Sequence, residues 1–300
     1  MAPASPLQIG IGLPTRTDAS TGPEAILEWA VRADAGPFSS LAVLDRVVAV
    51  AHEPMVALAA VAGVTSRIRL MTSIVLAPTR ETTLLARQAA SIDALSGGRL
   101  SLGVGVGIRP DDYGATGFAF HGRGRRLDEQ LRILRQLWSG QPLDAEGGIG
   151  AIGVRPARAG GPELLIGGYV PAVARRIAAH GDGFMAPGGG DPAHMAALWT
   201  SIQTAWSAAG RAGEPRWLSS SYVALGPQAK EHAAAYIRSA YAFDPALAER
   251  RLRGIPTTPS AVVELLRRQR DMGVGECILR PCVPDPAQIA RLADLAGGID

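Results

Sequence analysis

Two glycine-rich segments carry most of the chemical information in this chain. The first, Ser91–Gly107, reads SIDALSGGRLSLGVGVG. Gly97 and Gly98 stop a helix, because glycine takes the left-handed C-cap conformation without a steric penalty. An apolar strand follows over Arg99–Val104, and Gly103, Gly105 and Gly107 remove side chains where it emerges. Bare backbone at the C-terminal end of a strand lets a planar ring or a phosphate approach closely; the other use of such glycines is tight strand packing. The spacing is not the G-x-G-x-x-G of dinucleotide binding, and no acidic residue ends a following strand. The second segment, Gly167–Gly168–Tyr169–Val170–Pro171, feeds a helix that begins at a proline, where a missing N–H costs nothing. The free amides and the positive dipole end of such a turn bind phosphate, although a plain tight turn has the same composition.

Charged and titratable candidates are few. Asp45–Arg46 follows the apolar run SSLAVL and should stand at the mouth of the sheet. Arg46 can pair with Asp45, bind an acidic substrate, or be solvated. His52 and His121 fall in loops that follow strands and can approach a substrate, whereas His180 and His232 fall on helices. There is no H-x-x-x-H pair or carboxylate–histidine cluster, so no metal site is expected. No G-x-S-x-G elbow points to a serine hydrolase. Cys277 and Cys282 lack metal-ligand or disulfide-framework spacing and read as buried thiols near the last strand.

The elements that must position these residues alternate regularly. Strands are expected at Leu7–Leu13, Ser40–Leu44, Ile68–Val75, Arg99–Val104, Glu163–Ile166, Gly183–Ala186, Trp217–Leu225 and Glu276–Leu279. Helical patterns separate them, and alternation of this kind argues for βαβ units on a parallel sheet. Eight such units make an α/β fold of the (β/α)8 TIM-barrel class, with insertions in the βα loops; a doubly wound sheet is the runner-up. The chain reads as a single domain over residues 1–300, with a glycine- and proline-rich insertion, here expected as a small hairpin, at about 141–161. In a barrel the chemistry lies at the C-terminal ends of the strands, which is where both glycine segments fall.

The bulk numbers agree with one large core: 300 residues, 47% hydrophobic and 19% charged, with a net charge of +3. The cations are almost all arginine, and the single lysine, Lys230, sits in a helical stretch rather than at a strand end as an aldolase would require. No basic stripe is interleaved with aromatics, which argues against nucleic-acid binding. No apolar run is long enough to span a membrane, and the N-terminus does not read as a signal peptide; a cytoplasmic protein is expected.

Several segments resemble the luciferase-like monooxygenase superfamily, whose members use flavin or the deazaflavin F420. Leu95–Gly107 is similar to that family's LSGGRL-x-LGVG-x-G, and it is followed by Tyr113, Gly117, Arg123 and Glu129 in matching places. LLIGGYVPAVARRIAAHGDGF is similar to the family's phosphate loop and following helix, with Tyr169 where a small hydroxyl residue is commoner. The resemblance implies that Gly105, Val106 and Gly107 lie beside the cofactor ring and that Gly167, Gly168 and Tyr169 hold its phosphate. It implies that Thr72–Ser73–Ile74 supports the ring from behind, through a non-proline cis peptide common at this place. Ser73–Ile74, a small residue followed by a β-branched one, fits the F420 branch. Arg109, Arg123 and Arg125 are candidates for holding the oligoglutamate tail of that cofactor.

What the resemblance implies for activity is an oxidoreductase acting on a small organic substrate. It works either by hydride transfer with F420, the version favoured here, or by monooxygenation with reduced FMN, which needs a flavin reductase as partner. A homodimer is an expected assembly, and a barrel that binds flavin or another ligand without turnover is the alternative function. No catalytic residue is fixed; Asp45, Arg46, His52, Tyr113 and His121 are the candidates. Some F420 dehydrogenases of the family carry a histidine where this chain has Arg46 and a glutamate where it has Ile108. Both departures argue against sugar-phosphate dehydrogenase chemistry.

Overall fold

The computed structural model describes residues 6–16, 24–143 and 153–296. Eight parallel strands close on themselves: β1 (Gln8–Gly12), β2 (Ser40–Val43), β3 (Arg69–Leu76), β4 (Leu100–Gly105), β5 (Glu163–Gly167), β6 (Gly183–Met185), β7 (Arg216–Val223) and β8 (Glu276–Pro281). β8 returns to β1 with Ile9 opposite Cys277, so the sheet is a barrel and not the open doubly wound alternative. Around it run α1 (Glu24–Ala35), α2 (Pro54–Ala62), α3 (Thr82–Leu95), α4 (Pro110–Thr116), α5 (Arg123–Trp138) and α6 (Ala172–His180). The ring is completed by α7 (Pro192–Ala208), α8 (Ala229–Ala240), α9 (Pro245–Leu252), α10 (Pro259–Asp271) and α11 (Ala287–Ala296).

Local chemistry explains the helix starts. Pro54, Pro110, Pro192, Pro245 and Pro259 each occupy the opening turn of a helix. Asp191, Asp244 and Thr258 accept hydrogen bonds from the first free amides of α7, α9 and α10. Gly97 (φ +69°) and Gly98 (φ +85°) terminate α3 as its sequence requires. The short helix α4 was not expected from apolar periodicity. Its signals are Pro110, the acidic pair Asp111–Asp112 in the first turn, and Gly117 at φ +75° closing it. The middle of the insertion expected at 141–161, and with it the hairpin, lies outside the described residues; 153–162 run into β5 without helix or strand.

Strand side chains alternate between the barrel interior and the helix layer, so the interior is built in levels two residues apart. At the N-terminal end, Arg216 donates to Glu163 (2.7 and 2.6 Å) and to Glu276 (2.6 Å), and Arg69 reaches Glu163 at 3.4 Å. Ser101 and Ser40 donate to the same two glutamates at 2.5 Å each. The next level is apolar: Ala42, Met71, Leu165, Met185, Leu218 and Ile278, with Ile74 packed on top. Above it, at the C-terminal mouth, stand Ser73 and Arg280. No helix among the described residues is long and apolar enough to cross a membrane.

Candidate active site

The mouth is shaped by an irregularity in β3. Its register against β4 shifts between Thr72 and Val75, and the Ser73–Ile74 peptide is cis. The bulged strand crowds its neighbours, and the glycines answer that crowding. A Cβ on Gly103 would lie 2.1 Å from the Thr72 carbonyl oxygen. One on Gly105 would lie 2.7 Å from Ile74 Cδ1, and one on Gly167 3.1 Å from Ile74 Cγ2. Gly107 adopts φ +65° with Leu76 Cδ2 at 2.8 Å from its missing Cβ. Tight packing, the second of the two uses open to these glycines, is therefore present. The result is also a half-buried Ile74 flanked by bare backbone from β4 and β5. The Thr72 hydroxyl fixes the arrangement by donating to the Gly103 carbonyl at 2.7 Å.

Beyond β5, Gly168 is half-buried and Tyr169 and Val170 are exposed. Helix α6 starts after Pro171 with no side-chain cap, leaving its dipole end open. A Cβ on Gly168 would meet Val173 Cγ2 at 2.8 Å, at a φ of +155°. The turn is braced from outside: His194 Nε2 sits 2.9 Å from the Tyr169 carbonyl, and Arg251 of α9 donates to the Tyr169 hydroxyl at 3.0 Å. Tyr169 is thus held at both its carbonyl and its hydroxyl. This cradle fits a planar group carrying a phosphate, because the donors offered are main-chain amides at a helix start and Gly105 and Gly167 leave the strand ends on either side of Ile74 bare.

The other sequence candidates fall into separate sets of contacts. Asp45 is buried and accepts from the Leu76 amide (2.9 Å) and from Arg80 (2.9 Å), while Arg80 also reaches Glu53 at 2.6 Å. Burial pushes the Asp45 carboxyl above its usual range, and Arg80 offsets this only in part. Arg46 pairs not with Asp45 but with Asp112 (2.9 Å) and Asp111 (3.6 Å) of α4. Asp112 also accepts from the Val48 amide at 2.9 Å, so the loop after β2 is latched onto α4. Tyr113 is buried, donates to the Val106 carbonyl at 2.5 Å, and packs edge-on against Phe120. Burial pushes its hydroxyl up to about 12. His52 is exposed beside α2, and its amide donates to the Thr15 carbonyl at 2.9 Å. His121 lines an outer cavity of about 540 Å³ between α3 and α5. Arg109 pairs with Asp111 and stacks on Phe243 at 4.2 Å, and Arg123 stacks on Phe120 at 3.8 Å. Both cysteines are buried and unbridged, and no metal-holding cluster occurs among the described residues.

A residue that sequence reasoning missed is bonded directly to the irregular strand. Arg280 of β8 donates through Nη2 to the carbonyl (2.8 Å) and hydroxyl (2.5 Å) of Ser73. It lines a cavity of about 830 Å³ at the C-terminal ends of β1 and β8, under α8. The only sequence signal for it was alternation: in Glu276–Pro281 the even positions face inward, and the last of these before the strand ends is charged.

Eight parallel strands closed on themselves with helices between them define the class as a (β/α)8 barrel. The chain belongs to the luciferase-like monooxygenase family, whose model matches residues 7–293. Among characterised sequences it is 34% identical to an F420-dependent glucose-6-phosphate dehydrogenase of Rhodococcus jostii, over 56% of this chain and 54% of that one. It is 37% identical to an uncharacterised protein of Mycobacterium tuberculosis, over 53% and 56% of the two chains. The chain spans about half the length of the curated relatives it matches. Its fold is similar to that of an F420-dependent secondary alcohol dehydrogenase in complex with an F420–acetone adduct (TM-score 0.78, 18% identity, 99% and 100% coverage). It is also similar to the oxygenating constituent of a diketocamphane monooxygenase of Pseudomonas putida in complex with FMN (TM-score 0.69, 17% identity, 97% and 96% coverage).

Proposed function

We propose that this protein is an F420-dependent oxidoreductase acting on a small organic substrate, working as one barrel domain. The observation that carries the reading is the juxtaposition of bare backbone around Ile74 with the uncapped, glycine-led start of α6. Thr72, Ser73, Ile74, Gly105, Val106 and Gly107 would flank the cofactor ring, and Gly167, Gly168 and Tyr169 would receive its phosphate. The sequence relationship to an F420-dependent dehydrogenase supports the choice of F420 over FMN. When bound, the deazaflavin supplies a hydride donor or acceptor; the protein binds it, orients it and keeps water away.

The sugar-phosphate substrate of that relative is not carried over. Arg46 is committed to Asp112, and Ile108 is exposed, so neither position offers an acid or a base at the mouth. The test is a fluorescence titration of the purified protein with F420 and with FMN, each oxidised and reduced. Tight F420 binding with weak FMN binding supports the reading. Preference for reduced FMN replaces it with monooxygenation served by a separate reductase, and binding of neither removes it.

A further inference from the structure

Several of the buried or half-buried arginines of this barrel pair with carboxylates. Arg216 and Arg69 meet Glu163, Arg80 meets Asp45, and Arg176 meets Asp128 at 2.7 Å. Arg280 has no carboxylate partner among the described residues, and unlike Arg99, whose Nε, Nη1 and Nη2 all donate to oxygens, it bonds through Nη2 alone. It is 6% exposed, yet its side chain bonds to Ser73 and to no described carboxylate. Its Nη2 is taken by Ser73, while Nε and Nη1 donate to no described group. Guanidinium does not shed its proton to escape burial, so an unpaired one at this depth favours an incoming anion. Gly12 lets Arg280 pack close beside β1: a Cβ there would stand 3.3 Å from Arg280 Cα and 3.4 Å from its Cγ.

The cavity that Arg280 lines has an apolar wall of Leu13, Pro14, Leu44 and Pro281, and Thr15, His232 and Asp285 also line it, Asp285 lying 3.7 Å from Arg291. At its edge Arg16 lies over the Tyr236 ring at 5.2 Å and donates to Ser239 at 2.9 Å. We infer that this cavity binds the substrate as an organic monocarboxylate, its carboxylate on Arg280 and its apolar body along β1 and β8. Arg280 supplies the anchoring charge, Arg16 keeps the edge of the cavity cationic, and the Leu13, Pro14, Leu44 and Pro281 wall suits a hydrocarbon body. Because Arg280 is fixed to Ser73, the carboxylate end would lie next to the strand bulge, and the reacting carbon close behind it. As a substrate site this rests on the oxidoreductase reading; as an anion site it rests on Arg280 alone.

The test is calorimetric titration of the full-length protein with hexanoate and with its neutral isostere hexanamide, without cofactor and with F420 or FMN present. Wild type is expected to bind hexanoate at least about tenfold more tightly than hexanamide. Arg280→Gln should lose that preference, while Arg238→Gln, on the exposed pair with Glu249, should keep it. Equal binding of the two probes by wild type, or no hexanoate binding, overturns the proposal whether or not the Arg280 variant folds. So does an R280Q protein that keeps the preference, or one that loses affinity only for the cofactor. Cofactor binding without a hexanoate preference leaves the oxidoreductase reading and removes this site. A hexanoate preference without cofactor binding does the reverse.

Discussion

Gly168 is the residue on which the proposed phosphate cradle depends most directly. Gly168→Asp places a carboxylate against the expected phosphate and is expected to weaken F420 binding at least a hundredfold, about 2.8 kcal/mol. Gly168→Ala carries the same crowding against Val173 without the charge and serves as its control. If the two variants bind F420 equally, charge against a phosphate is not the cause. Tyr113 gives the opposite expectation. Its hydroxyl is committed to the Val106 carbonyl, so Tyr113→Phe is expected to cost about 1 kcal/mol of stability. A thermal midpoint lower by roughly 2–4 °C with an unchanged F420 affinity would match that role. A large loss of affinity at unchanged stability would mean that the hydroxyl touches the cofactor.

Among the elements, the short helix α4 and the loop after β2 act on one another through Asp112. This carboxylate is buried and receives both the Arg46 guanidinium and the Val48 amide. Asp112→Asn keeps the shape but surrenders the charge, leaving Asp111 at 3.6 Å as the carboxylate nearest Arg46, whose bond to the Val48 carbonyl remains. We expect a loss of about 1–3 kcal/mol, since hydrogen bonds to charged groups at a buried site are among the costlier ones to remove. Limited proteolysis should show earlier cleavage in residues 45–53 of the variant. An unchanged cleavage pattern would show that the latch does not hold the loop. The same element shows why local reading fell short: α4 has too few turns for apolar periodicity, and its evidence lay in a proline, two acids and a closing glycine.

The whole barrel is tied together at its N-terminal end by the charged level around Glu163 and Glu276. Burial alone would raise the Glu163 carboxyl, but Arg216, Ser101 and Arg69 outweigh it and hold it below its ordinary value of 4.5. A carboxyl depressed in the folded state contributes stability that is fully present above the unfolded value and is lost as pH falls through the folded one. Thermal midpoints should therefore decline as pH drops below about 4.5. Glu163→Gln is expected to lose roughly 3–5 kcal/mol at neutral pH, because it leaves Arg216 with one partner fewer in a buried network. It should also show a flatter acid limb than wild type. Parallel acid limbs would place the pH dependence elsewhere.

The sequence by itself determined the order of the strands and of the helices between them, the barrel class, the end of α3 at Gly97 and Gly98, and the two glycine segments. Those are local properties: periodicity, φ preference and capping act within a few residues, and they can be read without knowing what lies across the fold. Only the tertiary structure decided what each bare or charged position faces. Gly103 and Gly105 turned out to answer the bulge in β3, thirty residues earlier. Arg46 turned out to pair with Asp112 and not with its neighbour Asp45, and Arg280 came to rest on Ser73, more than two hundred residues away. Barrel closure brings β8 beside β1 and sets both across the mouth from β3. Partners chosen by that closure leave no trace in the spacing of either segment.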